Sequence, residues 1–315
     1  MWTRYLLLAL LFLLSACNDE HGKRVVDFSD TVPVDRPGAM VAEHDSLRVA
    51  VGAMVSPKET MSYYQQLIDL MGATLGKRVE LVQRKTYGEI NELLGKGEID
   101  LAFLCSGPYA TEKNKYGFEL LATPEINGSH FYQAYLIVNE KSPFKDLEDL
   151  RGKTFAFTDP DSNTGRLVPT NWLQELGERP ETFFRDVIYT YSHDNSIAAV
   201  AKGMVDGASV DGLVWDYFSK HNPALTSSTR IIRKSDLYGI PPLVASKRLS
   251  EDIKKTVRDL LLSLHKHDKG KKILGQLMID RFVEPQDQWY DSIRRMQQST
   301  GGSRVEAHVP EKHEN

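Results

Sequence analysis

Gly97-Glu98-Ile99-Asp100-Leu101-Ala102-Phe103 and Gly203-Met204-Val205-Asp206-Gly207-Ala208-Ser209 follow one pattern, 106 residues apart. In each copy a glycine ends a helical segment, and an aliphatic residue and an aspartate then lead into a short buried strand. The recurrence at the same place in both half-chains predicts two α/β lobes of related design.

The segments around each copy support this interpretation. Before the first copy lie a strand at 47–52, a helix at 61–75, a strand at 79–82 and a helix at 87–94, and the copy itself supplies a third strand at 99–104. The second copy is preceded by a strand at 153–158, a helix after Gly165, a strand at 187–190 and a helix at 193–201. A βαβαβ run of this kind is typical of parallel strands with helices packed on the faces of the sheet.

The last third of the chain has too few strands for a sheet of its own. It offers one strand at 243–246 and an amphipathic helix at 251–264, so we expect it to pack back on the first lobe. The chain then crosses between lobes near Val138-Asn139 and near Arg233–Ser235. The expected α/β architecture has two lobes, each a mixed, mostly parallel sheet flanked by helices. Lobe 1 is predicted at 47–138 plus 236–300, lobe 2 at 139–235, and a disordered tail at 301–315.

The N-terminus predicts export. Ten apolar residues at 5–14 follow a single positive charge, Arg4, a length that suits a signal peptide and not a membrane span. Leu14-Ser15-Ala16-Cys17 resembles the bacterial lipobox, which implies a signal peptide at 1–16, lipid on Cys17 and a linker at 17–46. The protein is then expected in the periplasm or on the outer face of the cytoplasmic membrane. The alternative is an ordinary secretory signal with an incidental cysteine.

Composition excludes several classes of protein. Among 315 residues, 41% are hydrophobic and 26% charged, which argues against wholesale disorder, and a net charge of −4 argues against nucleic-acid binding. Cys105 follows the apolar run 101–104 and is interpreted as a buried thiol at a strand end. The nine histidines are scattered along the chain, so no metal site is predicted.

Two polar segments mark a candidate anion site. Ser162, Asn163 and Thr164 stand at a predicted strand-to-helix turn, where free backbone N–H groups and the helix dipole favour an anion. His193 begins another predicted helix and is expected to donate to the same anion, whose charge would favour imidazole protonation. The alternatives are a plain helix N-cap for the first segment and a solvated cap histidine for the second.

The segments 159–169, 192–196 and 203–208 are similar to the phosphate, phosphite and phosphonate binding proteins of ABC transporters, and the resemblance runs over about 47–290. It implies a type II-like periplasmic-binding-protein fold with two hinge crossings, no cofactor, no enzymatic activity and a monomer served by permease and ATPase subunits. It also implies that a small phosphorus oxyanion is held by Ser162, Asn163, Thr164 and His193. In that family tyrosines close the site from the opposite lobe, here Tyr87 and Tyr132, and Asp211 would accept a protonated group.

Other functions stay open at this stage. The same fold could serve a periplasmic sensor that presents its ligand to a signalling receptor. A secreted hydrolase would need Ser162, His193 and Asp194 as a triad, but Ser162 lies in no Gly-x-Ser-x-Gly elbow and adjacent His193 and Asp194 do not align on one serine. The residues do not decide which phosphorus anion is bound.

Overall fold

The structure is a computed structural model that describes residues 46–52 and 54–300. The predictions for the signal peptide, for Cys17, for the linker up to 45 and for the tail at 301–315 lie outside the described residues. No helix in the described part of the chain combines the length and apolar character needed to cross a membrane.

The secondary-structure elements alternate between strands and helices in both halves of the chain. The first half contains β1 (Ser46–Val51), α1 (Pro57–Leu75), β2 (Arg78–Val82), α2 (Tyr87–Lys96), β3 (Leu101–Phe103), α3 (Ser106–Tyr116), β4 (Glu119–Glu125), β5 (Phe131–Tyr132) and β6 (Ala134–Asn139). The middle contains β7 (Thr154–Phe157), a π-turn (Asn163–Leu167), α4 (Val168–Glu175), α5 (Pro180–Phe183), β8 (Asp186–Tyr189), α6 (His193–Ala201), β9 (Gly207–Asp211), α7 (Gly212–His221), α8 (Pro223–Thr226) and β10 (Thr229–Lys234). The remainder contains β11 (Tyr238–Gly239), β12 (Leu243–Ala245), α9 (Glu251–Ser263), α10 (Asp268–Gln276), β13 (Arg281–Val283) and α11 (Asp291–Ser299).

These strands form two mixed sheets and one small ribbon. The first sheet has the order β13-β4-β12-β3-β1-β2, the second has the order β10-β6-β9-β7-β8, and β11 pairs with β5. The mixed α/β architecture predicted from the sequence is confirmed. Parallel pairing is confined to β2-β1-β3 and β8-β7-β9. The other strand pairs of both sheets are antiparallel, so the expectation of mostly parallel sheets was wrong. The reason is that the chain returns to the first sheet after a crossing, and β12 then inserts between β3 and β4 antiparallel to both.

The two copies of the glycine–aspartate pattern occupy equivalent places. Gly97 and Gly203 both have left-handed backbone, with φ of 73° and 67°, where glycine is favoured. An Oδ2 atom of Asp100 accepts the Arg48 N–H at 2.7 Å, and Oδ2 of Asp206 accepts the Thr154 N–H at 2.8 Å. Each aspartate therefore ties the start of the central parallel strand of its sheet to the strand beside it.

The chain passes between the sheets earlier than predicted. β6 pairs with β9 and β10 of the second sheet, so the first crossing precedes Ala134 and does not lie near Val138-Asn139. The apolar run of β6 is equally compatible with either sheet, which is why the sequence misplaced this boundary. The crossing strands pair with each other, Tyr132 opposite Tyr238 and Phe131 opposite Gly239.

Helices cover both faces of the first sheet, because successive strand residues point to opposite sides. Val49 and Val51 are buried in a core that includes residues of α1 and α9, whereas Ala50 faces a second core that includes Ile90 and Leu94 of α2. α9 packs on α1 and on β4 and β13 of the first sheet, whereas α11 contacts α3 and also α4 and the π-turn. The polar ends of the strands are left to form the site.

Candidate anion-binding site

The Ser162 segment is a tight turn at the carboxyl end of β7. Oγ of Ser162 accepts the Gly165 N–H at 3.0 Å, so this serine is an N-cap, the alternative that the sequence left open. The chain then makes a π-turn before α4 begins. The Ser209 hydroxyl donates to the Thr164 carbonyl at 2.6 Å, which fixes the turn against β9. The backbone N–H groups at this helix start are therefore held in a rigid, buried place.

His193 is fully buried at the first position of α6, so the solvated histidine considered above is excluded. Its Nδ1 accepts the backbone N–H of Asp211 at 3.0 Å and lies 3.1 Å from the Thr158 hydroxyl. Because a backbone N–H can only donate, Nδ1 carries a lone pair and the imidazole proton is on Nε2. Burial lowers the pKa of His193 to about 3. In the ligand-free protein this histidine is thus a neutral donor, and the protonation that an anion's charge would favour concerns the bound state.

Asn163 connects the Ser162 turn to Tyr132. Its Nδ2 donates to the Tyr132 hydroxyl at 3.2 Å, and both side chains are buried. The hydroxyl accepts this bond and keeps its own proton for another acceptor. Tyr132 lies in β5, on the ribbon between the sheets and not on the first sheet, because the crossing comes earlier than predicted. Asn163 therefore positions a tyrosine hydroxyl that can donate.

Tyr87 approaches from the first sheet as the opening residue of α2. Its backbone N–H donates to Oδ2 of Asp159 at 3.1 Å, a contact between the two halves of the protein. Its ring is buried, and burial raises its pKa well above the usual value, with further contributions from Cys105, Asp159 and Asp211. The sequence had not singled out Asp159, although it begins the segment 159–169.

Asp211 ends β9 and caps α7. Its Oδ1 accepts the Leu213 N–H at 2.8 Å, while its backbone N–H orients His193. Burial raises the pKa of the Asp211 carboxyl to about 7, and the same cause raises the pKa of Asp159 to about 7. Near neutral pH each of these carboxyl groups can therefore carry a proton.

Several buried polar atoms in this region have no partner within the described residues. They are the Tyr87 hydroxyl, Oδ1 of Asn163, Oγ1 of Thr164, Oγ of Ser192 and Nε2 of His193. A buried donor without an acceptor costs about 1–3 kcal/mol, so such a cluster is unfavourable unless a ligand completes it. Three hydroxyls and one Nε2–H supply donors, which suits an oxyanion. Sequence reasoning singled out neither Ser192, which begins the quoted segment 192–196, nor Thr158, which directly precedes the segment 159–169.

Further contacts join the sheets around these atoms. The Ser56 N–H donates to Oδ1 of Asp194 at 2.9 Å, and the His193 N–H donates to the Met54 carbonyl at 3.0 Å. Gly107 allows the start of α3 to approach the Ser162 turn, because a Cβ there would lie 2.8 Å from the Asn163 nitrogen. The predicted site residues from both halves are thus brought together.

The arrangement does not support a hydrolase. Nδ1 of His193 is bonded by Asp211 and Thr158, and the Asp194 carboxylate is bonded by Ser56, so no Ser162–His193–Asp194 relay is formed. Burial raises the pKa of the Cys105 thiol to about 12, as befits the buried thiol that the sequence predicted. Among the described residues, no group of three His, Cys, Asp or Glu side chains is placed to hold a metal ion.

Comparisons with known proteins identify relatives with the same architecture. The chain is 25% identical over 246 residues to the phosphonates-binding periplasmic protein of Escherichia coli (strain K12), covering 76% of this chain and 72% of the relative. It is 26% identical over 234 residues to the phosphate-import protein PhnD of Mycolicibacterium smegmatis, covering 70% and 72%. The structure of PhnD1 from Prochlorococcus marinus (MIT 9301) in complex with methylphosphonate superposes with a TM-score of 0.73 at 20% identity, covering 81% of this chain and 98% of that one.

A family model matches most of the described fold. Residues 49–290 match the model described as ABC transporter, phosphonate, periplasmic substrate-binding protein. This range includes both sheets, the Ser162 turn and His193. The chain therefore belongs to the family of periplasmic substrate-binding proteins of phosphonate ABC transporters.

Proposed function

We propose that this chain captures a phosphonate, phosphite or phosphate oxyanion between its two sheets and delivers it to an ABC permease. As a member of its family it is a periplasmic solute-binding component of a transporter and not an enzyme. The relatives named above differ in their anion: one is named for phosphonates, one for phosphate, and one was solved with methylphosphonate. The chemistry that these names share is a tetrahedral phosphorus oxyanion.

The buried cluster of unpartnered donors is the observation that carries the proposal. The Tyr87 hydroxyl, Oγ1 of Thr164 and Nε2 of His193 can each donate to a different oxygen of one phosphorus centre. Hydrogen bonds to a charged acceptor are stronger than those between neutral groups, and the Ser162 turn adds helix-start N–H groups. The donors carry no full positive charge, which suits reversible capture.

The proposed motion is a closure of two lobes, one around each sheet. The Tyr87–Asp159 and His193–Met54 hydrogen bonds support it, since each joins one sheet to the other and would break on opening. The hinges would lie at the paired crossing strands β5 and β11. A ligand that contacts both sides favours the closed form by its differential affinity for the two states.

Calorimetric titration of the full chain in mild detergent tests the proposal. The ligands are phosphate, phosphite, methylphosphonate and, as a tetrahedral anion without phosphorus, sulfate. We expect one or more phosphorus anions to bind at micromolar or lower concentration and the Ser162→Ala/His193→Ala double variant to lose that binding. His267→Ala is the matched control, because His267 is an exposed histidine that directly precedes α10. A folded protein that binds none of the phosphorus anions would refute the proposal.

Experiments in cells distinguish a transport function from a sensing function. If the chain serves a permease, its deletion abolishes uptake of the radiolabelled anion, and supplying the protein again restores uptake. If it presents the ligand to a signalling receptor instead, uptake persists and the transcriptional response to the anion is lost.

We also propose that the mature protein is anchored by lipid on Cys17. The support is the lipobox-like Leu14-Ser15-Ala16-Cys17 directly after the apolar segment. Mass spectrometry of the mature N-terminus would give a diacylglyceryl-modified Cys17, and Cys17→Ser would release the protein from membranes. An unmodified N-terminus at another residue would contradict the anchor.

A further inference from the structure

A second feature of the site is an apolar chamber beside the donor cluster. Its cavity volume is about 120 Å³, its mouth opens to solvent, and of the described residues that line it only Asp211 is charged. Its walls come from both sheets. The lining includes Val51, Tyr64 and Phe103 from the first half of the chain and Leu213, Val214 and Tyr217 from the second.

Two residues that line the chamber also form hydrogen bonds with His193 of the proposed anion site. Met54 lines the chamber, and its carbonyl accepts the His193 N–H at 3.0 Å. Asp211 also lines the chamber, and its backbone N–H donates to Nδ1 of His193 at 3.0 Å. The chamber therefore lies one residue away from the histidine that supplies the Nε2 donor.

The chamber is much larger than the anion itself requires. Phosphate and phosphite have no apolar part, and a methyl group is about the size of a water molecule, which needs only roughly 10–15 Å³ of cavity volume. Apolar walls of this extent favour an apolar occupant, because burial removes its surface from water. A ligand ammonium group would meet one carboxyl group, Asp211, which already accepts the Leu213 N–H.

We propose that the natural ligand is an organophosphonate with an alkyl or aryl substituent longer than methyl, which occupies this chamber while the phosphonate oxygens occupy the donor cluster. This inference rests on the proposed function and narrows its ligand class. Val214 and Leu213, on the first turn of α7, are specificity-determining residues in this assignment.

The test is a titration series on the full chain in mild detergent. The ligands are phosphate, methylphosphonate, n-butylphosphonate, phenylphosphonate and 2-aminoethylphosphonate. A fully buried methylene tightens binding about fourfold, so n-butylphosphonate is expected to bind at least tenfold tighter than methylphosphonate. It is also expected to bind tighter than 2-aminoethylphosphonate.

Variants that narrow the chamber locate the effect. Val214→Phe, and independently Leu213→Phe, are expected to bring the affinity ratio of n-butylphosphonate to methylphosphonate close to one. The matched control is Ile188→Phe on the exposed surface of β8, which is expected to keep the ratio of the parent protein. Both affinities are measured on the same variant. A general loss of folding would lower both of them and leave their ratio unchanged, whereas a narrowed chamber changes the ratio.

The outcomes separate the two proposals. If methylphosphonate or phosphate binds but the longer substituents bind no tighter, the ligand class proposed here is overturned and the phosphorus-anion function stands. If 2-aminoethylphosphonate binds tightest, the apolar assignment is likewise overturned. If no phosphorus anion binds to the folded chain, the proposed function fails and this inference fails with it.

Discussion

The backbone N–H of Asp211 donates to Nδ1 of His193 across 3.0 Å, and this one bond sets the tautomer of the imidazole. The proton is left on Nε2, which is buried and has no partner within the described residues. A fixed backbone group at the end of a strand thus decides that the histidine offers a donor to the site.

The first prediction concerns this donor. His193→Ala is expected to weaken anion binding by roughly 10- to 100-fold, because a hydrogen bond to a charged acceptor contributes about 1.5–3 kcal/mol. His193→Gln places an amide N–H near the position of Nε2 and is expected to recover part of the loss. Titration calorimetry measures both affinities.

Because the pKa of His193 is lowered to about 3, the imidazole ¹⁵N shifts of the ligand-free protein should stay constant from pH 5 to 8. A change of these shifts with pH in that range would contradict the neutral tautomer.

The second prediction concerns pH and stability. Burial raises the pKa of Asp211 to about 7, so between about pH 4 and 7 the folded state holds a proton that the unfolded state has released. The free energy of unfolding should therefore fall as pH rises through this window, by up to about 1.4 kcal/mol per pH unit for this group. Asp211→Asn keeps a good helix cap and should flatten the slope.

Urea unfolding at pH 5 and pH 7 measures that difference. Asp252→Asn, on the exposed first turn of α9, is the control and should leave the slope unchanged. An Asp211→Asn slope equal to that of the parent protein would show that Asp211 does not hold a proton in the folded state.

The third prediction concerns the approach of α3 to the Ser162 turn. A Cβ at Gly107 would lie 2.5 Å from the Asp161 carbonyl oxygen and 2.8 Å from the Asn163 nitrogen, both backbone atoms that cannot rotate away. Gly107→Ala is therefore expected to hold the two sheets apart and weaken anion binding at least tenfold. Small-angle scattering should show that the ligand no longer compacts the variant.

Gly275→Ala provides the control for that experiment. A Cβ there meets nothing within 4 Å, and alanine in a helix is favoured over glycine by roughly 1 kcal/mol. It should bind as the parent protein does, with equal or greater thermal stability. Unchanged affinity in Gly107→Ala would mean that the anion does not need this close approach.

The fourth prediction separates binding from stability at two tyrosines. The Tyr87 hydroxyl is buried without a partner, so Tyr87→Phe should weaken anion binding about tenfold and leave the ligand-free protein equally or more stable. The Tyr109 hydroxyl donates to Asp287 at 2.6 Å, away from the site, so Tyr109→Phe should lower stability and leave affinity unchanged. Thermal unfolding and calorimetry on both variants check the contrast, and equal affinities for Tyr87→Phe and the parent would remove Tyr87 from the site.

Local chemistry explains what the sequence by itself determined. The two glycine–aspartate copies predicted related α/β halves because glycine tolerates left-handed backbone and an aspartate at a strand start can bind a neighbouring N–H, and Asp100 and Asp206 make these contacts. The helix start at Ser162 could also be predicted from the sequence, since serine is a favoured N-cap. The glycine turns and the Ser162 cap depend on residues close in the chain, and so their signals survive in one sequence, whereas the two aspartate contacts span 52 residues.

Tertiary structure decided the rest. The place where the chain first crosses between the sheets depends on which of the two sheets β6 joins, and the apolar residues of β6 do not encode that choice locally. The tautomer and the neutral form of the His193 imidazole depend on Asp211, 18 residues away, and on complete burial, which opposes a positive charge on the ring. The apolar chamber assembles side chains from distant segments of both halves, and only packing puts Val51 and Val214 around one space. Properties that arise from the removal of water and from long-range contacts exist only once the chain has folded.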